Sequence, residues 1–175
     1  MKTILNEQQL AITIQRLSHQ LLENHLGLKD MVLIGLQPRG IYFSDRIVKE
    51  VSKQIVPEKF HYGKLDITFY RDDIRQGGLH TLNQTDIPFS IENKNVVLID
   101  DVLYTGRTIR AALDALLTFG RPAKVELCVL IDRRFSRQLP IQPDYVGKAI
   151  DSIISQKVKV YWKEKDGKDE VMLIE

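Results

Sequence analysis

VVLIDDVLYTGRT, residues 96–108, runs from four apolar residues into two adjacent carboxylates, Asp100 and Asp101, and then into a short loop around Gly106. A helical pattern starts at Thr108. A buried strand ending in acids, followed by a small-residue loop that feeds a helix N-terminus, suits a phosphorylated sugar. Carboxylates accept hydrogen bonds from sugar hydroxyls, and loop amides with a helix start hold a phosphate. Gly106 lets the backbone approach closely. Thr105 and Thr108 add hydroxyl donors, and the helix adds about half a positive charge at its start. The acidic pair can hold ribose hydroxyls directly or through Mg²⁺, which favours a few carboxylates plus substrate oxygens. Neighbours on a strand point to opposite sides, so the two carboxylates need not crowd each other. The plain alternative is a solvated acidic turn. A P-loop and a dinucleotide loop are both excluded, because neither GxxxxGK[ST] nor GxGxxG occurs.

Outward from this stretch, apolar strands alternate with helices. MVLIGL (31–36) is a short continuous apolar run, as expected of a strand covered on both faces, and residues 124–131, which hold the largely apolar VELCVLI, read as another buried strand. Gln37-Pro38-Arg39-Gly40 is a tight loop, and a helix is expected over 41–54. Asn6 and Gln9 form a capping-box pattern ahead of Leu10, Ile14, Leu17 and Leu21, which predicts a helix over 7–26 ending near Gly27. KLDITFY (64–70) alternates like a strand. Residues 71–85 are polar and aperiodic, with Gly77 and Gly78, and read as a functional loop. Gly120 and Pro122 end a helix over 108–119. The segment 132–150 reads as irregular, and KVKVYW (157–162) with EVMLIE (170–175) should form a hairpin. This order predicts an α/β domain with a parallel sheet, whose ligand sits at the C-terminal ends of the strands. The loops 37–40, 100–107 and 132–134 all fall on that edge.

Length and charge narrow the class. The chain has 175 residues and a formal charge of +2, so one domain without a strong overall field is expected. The single Cys128 lies in an apolar run and reads as a buried structural thiol. No signal-peptide core or membrane-length apolar run is present, so a cytoplasmic location and no membrane partner are expected. Arg39, in a short loop at a strand end, can grip a diphosphate. Arg71 and Arg75 can neutralise a leaving pyrophosphate, while a closed loop keeps water from a sugar cation. His80 receives no role.

V-V-L-I-D-D-V-L-Y-T-G-R-T is similar to the phosphoribosyl-pyrophosphate (PRPP) signature of type I phosphoribosyltransferases. Its Val-Leu-Tyr insert resembles the pyrimidine operon attenuation regulator/uracil phosphoribosyltransferase family. Gly35 to Tyr42, Asp66 to Asp73, Ala111 to Pro122, and Leu139-Pro140-Ile141 with Asp144 to Lys148 resemble other motifs of that family. The resemblance implies a type I phosphoribosyltransferase fold: a central parallel sheet flanked by helices, a small hood and a C-terminal hairpin. It implies the reaction uracil + PRPP → UMP + pyrophosphate with Mg²⁺. It places PRPP on Arg39, Gly40, Asp100, Asp101, Val102, Leu103, Tyr104, Thr105, Gly106, Arg107 and Thr108. Pyrophosphate falls to Pro38, Arg39 and Arg71, the metal environment to Asp100 and Asp101, and catalysis to Asp101 and Arg71. Asp132, Arg133 and Ile141 frame the base. The peptide bond inside the 37–40 loop is expected to switch geometry.

The resemblance also implies a homodimer or homotetramer, and binding of pyrimidine-operon leader mRNA when a uridine nucleotide is present. Arg16, His19, Arg137 and Lys148 are the candidate RNA contacts, although this basic face is thinner than the family pattern, with Gln142 where an arginine is common. The family usually has Asp-Arg-Gly at 132–134, whereas this chain has Arg134 and one extra residue around Phe135-Ser136. Two alternatives stay open: an RNA-binding attenuation protein with secondary transferase activity, and a transferase for another base such as hypoxanthine or orotate.

Overall fold

The computed structural model describes residues 1–26, 30–55, 60–72 and 83–175. The continuous apolar runs form the middle of a five-stranded parallel sheet: β2 (Met31–Leu36), β4 (Asn95–Leu103) and β5 (Lys124–Arg134), all six residues of β2 being buried. β3 (His61–Leu65) and β6 (Tyr145–Asp151) complete the order β3-β2-β4-β5-β6. Helices α1 (Glu7–Asn24) and α2 (Gly40–Ser52) cover one face, packing on Leu33, Val97, Ile99 and Leu130. Helix α3 (Arg107–Leu116) covers the other, packing on Val32, Val96, Leu98 and Val129. Burial on both faces is why the middle of these strands is largely apolar in sequence. The capping box at Asn6 and Gln9 is formed, with Gln9 N–H donating to Asn6 Oδ1 at 2.9 Å. Cys128 is buried, and burial pushes its thiol up. Among the described residues, no helix is long and apolar enough to cross a membrane.

The expected hairpin is present as β7 (Lys157–Tyr161) and β8 (Glu170–Ile174), joined through a short helix α4 (Lys163–Asp166). Strand β1 (Lys2–Leu5) adds to β8 and makes a three-stranded antiparallel hood, order β1-β8-β7. Trp162 pins this hood to α2. It is fully buried, it stacks on Phe43 with centroids 6.3 Å apart, and the Arg46 guanidinium lies 4.8 Å from its ring. Arg46 also bonds Glu164 (2.8 Å) and Asp169 (2.6 Å) of the hood. Trp162→Ala is therefore expected to cost about 3–5 kcal/mol in urea unfolding, and Trp162→Phe clearly less. A loss below about 1 kcal/mol for the alanine variant would contradict this packing account.

Several boundaries differ from expectation. KLDITFY is a strand only to Leu65, and Thr68–Tyr70 is a 3₁₀ turn. The Asp66 side chain causes the change: Oδ1 accepts from Thr68 N–H at 2.9 Å and Oδ2 from Asn83 N–H at 2.7 Å, so local side-chain bonds replace the ladder. The segment 132–150 is not irregular throughout, since it holds β6. β1 was not expected either. Helix α3 stops at Leu116 and tightens to a 3₁₀ turn over Leu117–Phe119. Gly27, Arg75, Gly77, Gly78 and His80 lie outside the described residues.

Candidate active site

At the C-terminal end of β4, Asp101 lies beside Arg39 of the loop before α2, while Asp100 lines the cavity formed with the loop before α3. Both carboxylates are buried. The backbone N–H of Asp101 donates to Asp100 Oδ1 at 2.9 Å. The two carboxylates, expected not to crowd each other, still interact through their charges. Burial pushes the Asp100 carboxyl well above the usual carboxylate range, and the neighbouring Asp101 charge pushes it further. Burial also raises Asp101, against the opposing pull of the Arg39 guanidinium. The site thus holds negative charge with too little compensation, which is the condition of a site awaiting a cation or hydroxyl donors.

Arg39 sits at the C-terminal end of β2, in the loop whose Gln37–Pro38 peptide bond is cis. Its Nε lies 3.6 Å from Asp101 Oδ2, and a terminal nitrogen lies 3.7 Å from Asp166 of α4. It also donates to Val160 O of β7 at 2.5 Å. Arg39 therefore ties the loop to the acidic pair and to the hood. Gly40, the first residue of α2, is needed for close approach: a Cβ there would lie 2.9 Å from Asp100 Oδ1 and 2.9 Å from Ile99 O.

The loop after β4 surrounds a cavity of ≈ 260 Å³. Its lining combines Arg71, Asp72 and Asp100 with Val102, Leu103, Tyr104, Thr105, Gly106, Arg107 and Thr108. Gly106 has φ +91 and caps α3, a left-handed position that glycine accepts readily. Beneath it lies Ile141, whose Cδ1 would be 3.3 Å from a Cβ at 106. The loop is fastened from outside: Gln138 N–H donates to Thr105 O at 2.9 Å, and Arg137 donates to Tyr104 O at 2.5 Å. The residues expected around PRPP thus converge on one sheet edge, as do Pro38 and Arg39.

The base-site residues are placed differently. Arg133 is 5% exposed, and burial lowers its pKa. Its guanidinium stacks 3.9 Å from the Tyr104 ring centroid and donates to Ser152 Oγ (2.9 Å), Ile153 O (3.2 Å) and Gln156 O (2.8 Å). Arg133 joins the 151–156 loop to Tyr104. Asp132 is paired with Arg137 at 2.5 Å, and Ile141 supports Gly106. The open cavity at this end, ≈ 550 Å³, is lined by Phe135 and residues 151–156. Sequence reading passed over the 151–156 loop because it has neither periodicity nor a charged motif. Asp72, next to Arg71, also lines the cavity around residues 102–109, and no motif in the sequence marks it.

The four RNA candidates do not form one free basic face. Arg16 donates to Gly147 O at 2.6 Å and Val146 O at 3.3 Å, clamping α1 to β6. His19 meets Gln54 at 3.2 Å, Lys148 donates to Ile4 O at 3.0 Å, and Arg137 donates to Tyr104 O. Among the described residues, no group of three or more His, Cys, Asp or Glu converges as a metal cage.

Comparison with known proteins agrees with this geometry. The phosphoribosyl transferase domain family matches residues 1–165. The chain is 47% identical to a bifunctional protein PyrR from Picosynechococcus sp. over 171 residues, covering 98% of this chain and 96% of that protein. It is 46% identical to one from Enterococcus faecalis over 160 residues, covering 91% and 89%. Among solved structures, a hypoxanthine phosphoribosyltransferase from Staphylococcus aureus superposes with TM-score 0.74 at 22% identity, covering 99% of this chain and 92% of that one. One from Trypanosoma cruzi gives 0.74 at 18%, covering 99% and 96%. At those identities the structures speak for the fold alone. The full-length relatives carry the closer assignment: the chain belongs to the phosphoribosyl transferase family and, within it, to the PyrR proteins.

Proposed function

We propose that this chain is a uracil phosphoribosyltransferase, converting uracil and PRPP to UMP and pyrophosphate. The observation that carries this reading is the single cavity in which the buried acid at the end of β4 meets the Tyr104–Thr108 cradle, with Arg39 beside the second acid. The 5′-phosphate lies on the amides and hydroxyls of 104–108 and the start of α3. Asp100 and Asp101 accept from the ribose hydroxyls. The pyrophosphate leaves toward Arg39 and Arg71, whose charges offset its own. As the C1–oxygen bond breaks, C1 becomes cation-like and Asp101 steadies it from the α2 side. A uracil nitrogen then bonds to C1, and the proton it carried is released to solvent. No strong nucleophile on the protein is needed, because positioning and charge screening supply the rate.

Two carboxylates with incomplete charge partners suit Mg²⁺, which accepts a few carboxylates and takes its other oxygens from substrate and water. Mg²⁺ would supply neutralisation of the diphosphate, and Asp100 and Asp101 would hold its environment.

The test is radiolabel incorporation from uracil, hypoxanthine, guanine and orotate in the presence of PRPP and Mg²⁺. Uracil is expected to give nucleotide at least about tenfold faster than the others. Nucleotide from another base and none from uracil would overturn the substrate assignment. A second activity, UMP-dependent binding of pyrimidine-operon leader mRNA, is favoured by the bifunctional relatives. Filter binding with and without UMP measures it, and equal retention in both arms would exclude regulation.

A further inference from the structure

Arg107 lies inside the phosphate cradle, yet its guanidinium is held from two sides. Nε donates to Gln138 Oε1 at 2.7 Å, and a terminal nitrogen donates to Asp72 Oδ2 at 2.5 Å. Gln138 is itself fixed to the cradle through its N–H on Thr105 O. Arg110, one turn further along α3, brings a second guanidinium to 3.7 Å from the same Asp72 oxygen. Its own bonds go to Asp114 (3.0 Å) and Tyr70 O (3.3 Å), and its buried Nε has no hydrogen-bond partner. A buried N–H in that condition marks an arrangement open to a better partner. Asp72 lines the cavity with Asp100 and the 104–108 loop, so its carboxylate faces the volume where a phosphate would sit.

We infer that Asp72 is an internal competitor for the 5′-phosphate: its carboxylate stands at Arg107 where a phosphate oxygen binds, and the ligand must displace it. The physical reason is charge. A dianionic phosphate in this cavity meets Asp72 as a like charge, and the Arg107 terminal nitrogen that donates to Asp72 is the one it must win, since Nε is already held by Gln138. Exchange of partners releases Asp72 from Arg107 and leaves it to Arg110. The apparent affinity for any 5′-phosphate is then reduced by the fraction of molecules in which Asp72 holds Arg107. In this reading Asp72 is a positioning residue that sets PRPP affinity. The inference rests on the reading of 104–108 as a phosphate cradle and is independent of which base is used.

The probe is ribose 5-phosphate, titrated calorimetrically into wild type, Asp72→Asn and Asp72→Ser; both replacements are at a partly exposed position where folding is expected to survive. The expected result is binding about threefold to tenfold tighter in both variants, together with a lower KM for PRPP. In an Arg107→Gln background, Asp72→Asn is expected to bring no further gain, because the competition has lost its object. A merely structural role for Asp72 would weaken binding and lower kcat together. Unchanged or weaker ribose 5-phosphate binding in both variants would overturn the inference. Absence of binding in every protein, wild type included, would overturn the phosphate-cradle reading and the inference with it.

Discussion

Asp100→Asn is expected to raise the melting temperature of the ligand-free protein at neutral pH while lowering turnover by about 10²–10³-fold. The stability half follows from the sign of the proton affinity. Burial and the Asp101 charge hold the Asp100 carboxyl well above its ordinary range in the folded state. The unfolded chain releases that proton near pH 4, whereas the folded protein retains it to higher pH. Across that window the unfolded state binds fewer protons, so wild-type stability falls as pH rises, and above it the folded state carries two repelling buried charges. Asparagine has nearly the same shape, and its side-chain oxygen can still accept from Asp101 N–H. The variant escapes the decline, so its advantage should be largest at pH 7–8 and vanish below about pH 4. Each kcal/mol gained moves the melting temperature by about 2–4 °C for a chain of this size. Melting curves at pH 4 and pH 8 decide it: equal differences at both pH values would contradict the account. Turnover falls because the removed charge is one of the two offered to the ribose hydroxyls and the Mg²⁺ environment. Asp101→Asn should likewise keep the fold and lose most turnover, and near-normal turnover in either variant would refute the roles assigned to the pair.

The sequence made the centre of the sheet legible and its margins obscure, for one physical reason. MVLIGL is buried on both faces and wholly apolar, and VELCVLI breaks that pattern only at Glu126, a buried carboxylate paired with His25, Lys124 and Tyr145, so both runs are easily read. β6 is an edge strand whose seven residues include only one fully buried side chain, Tyr145, and whose Gly147 passes so close to Leu130 O that a Cβ would lie 2.4 Å away. Such a segment looks like a loop. The hood strand β1 is four residues long and carries no period to read. At the site, the phosphate cradle could be recognised because its parts are contiguous. The role of Arg133 could not, because its partners Tyr104, Ser152 and Gln156 come from distant parts of the chain. Likewise, Arg16 reads as a solvent-facing arginine in a helix, and only the register of α1 against β6 shows it bound to backbone carbonyls.

Gly40→Ala is expected to damage catalysis more than stability, and by a route different from loss of charge. The added methyl would lie 2.9 Å from Ile99 O and 3.1 Å from Asp100 Cα, both part of the central strand, and 2.9 Å from Asp100 Oδ1. None of these is the end of a flexible side chain: β4 is held between β2 and β5, and Asp100 Oδ1 is tied to Asp101 N–H. The start of α2 must therefore retreat, carrying Arg39 with it, or the Asp100 carboxylate must turn. Overpacking of this kind costs about 1–3 kcal/mol in unfolding. A displacement on the order of 1 Å between the acidic pair and the pyrophosphate loop costs up to about 10²-fold in rate, because the reaction depends on alignment of ribose and leaving group. We expect kcat/KM for PRPP to fall at least tenfold, a drop of about 1.4 kcal/mol in transition-state stabilisation. Gly106→Ala gives a useful contrast, since its left-handed backbone is strained by any side chain at about 1–2 kcal/mol while the acidic pair stays in place. Ribose 5-phosphate affinity should drop more in Gly106→Ala than in Gly40→Ala, whereas pyrophosphate affinity in the reverse reaction should drop more in Gly40→Ala. Equal losses of both affinities in the two variants would mean that the phosphate and pyrophosphate ends of the site are not separately positioned by these two glycines.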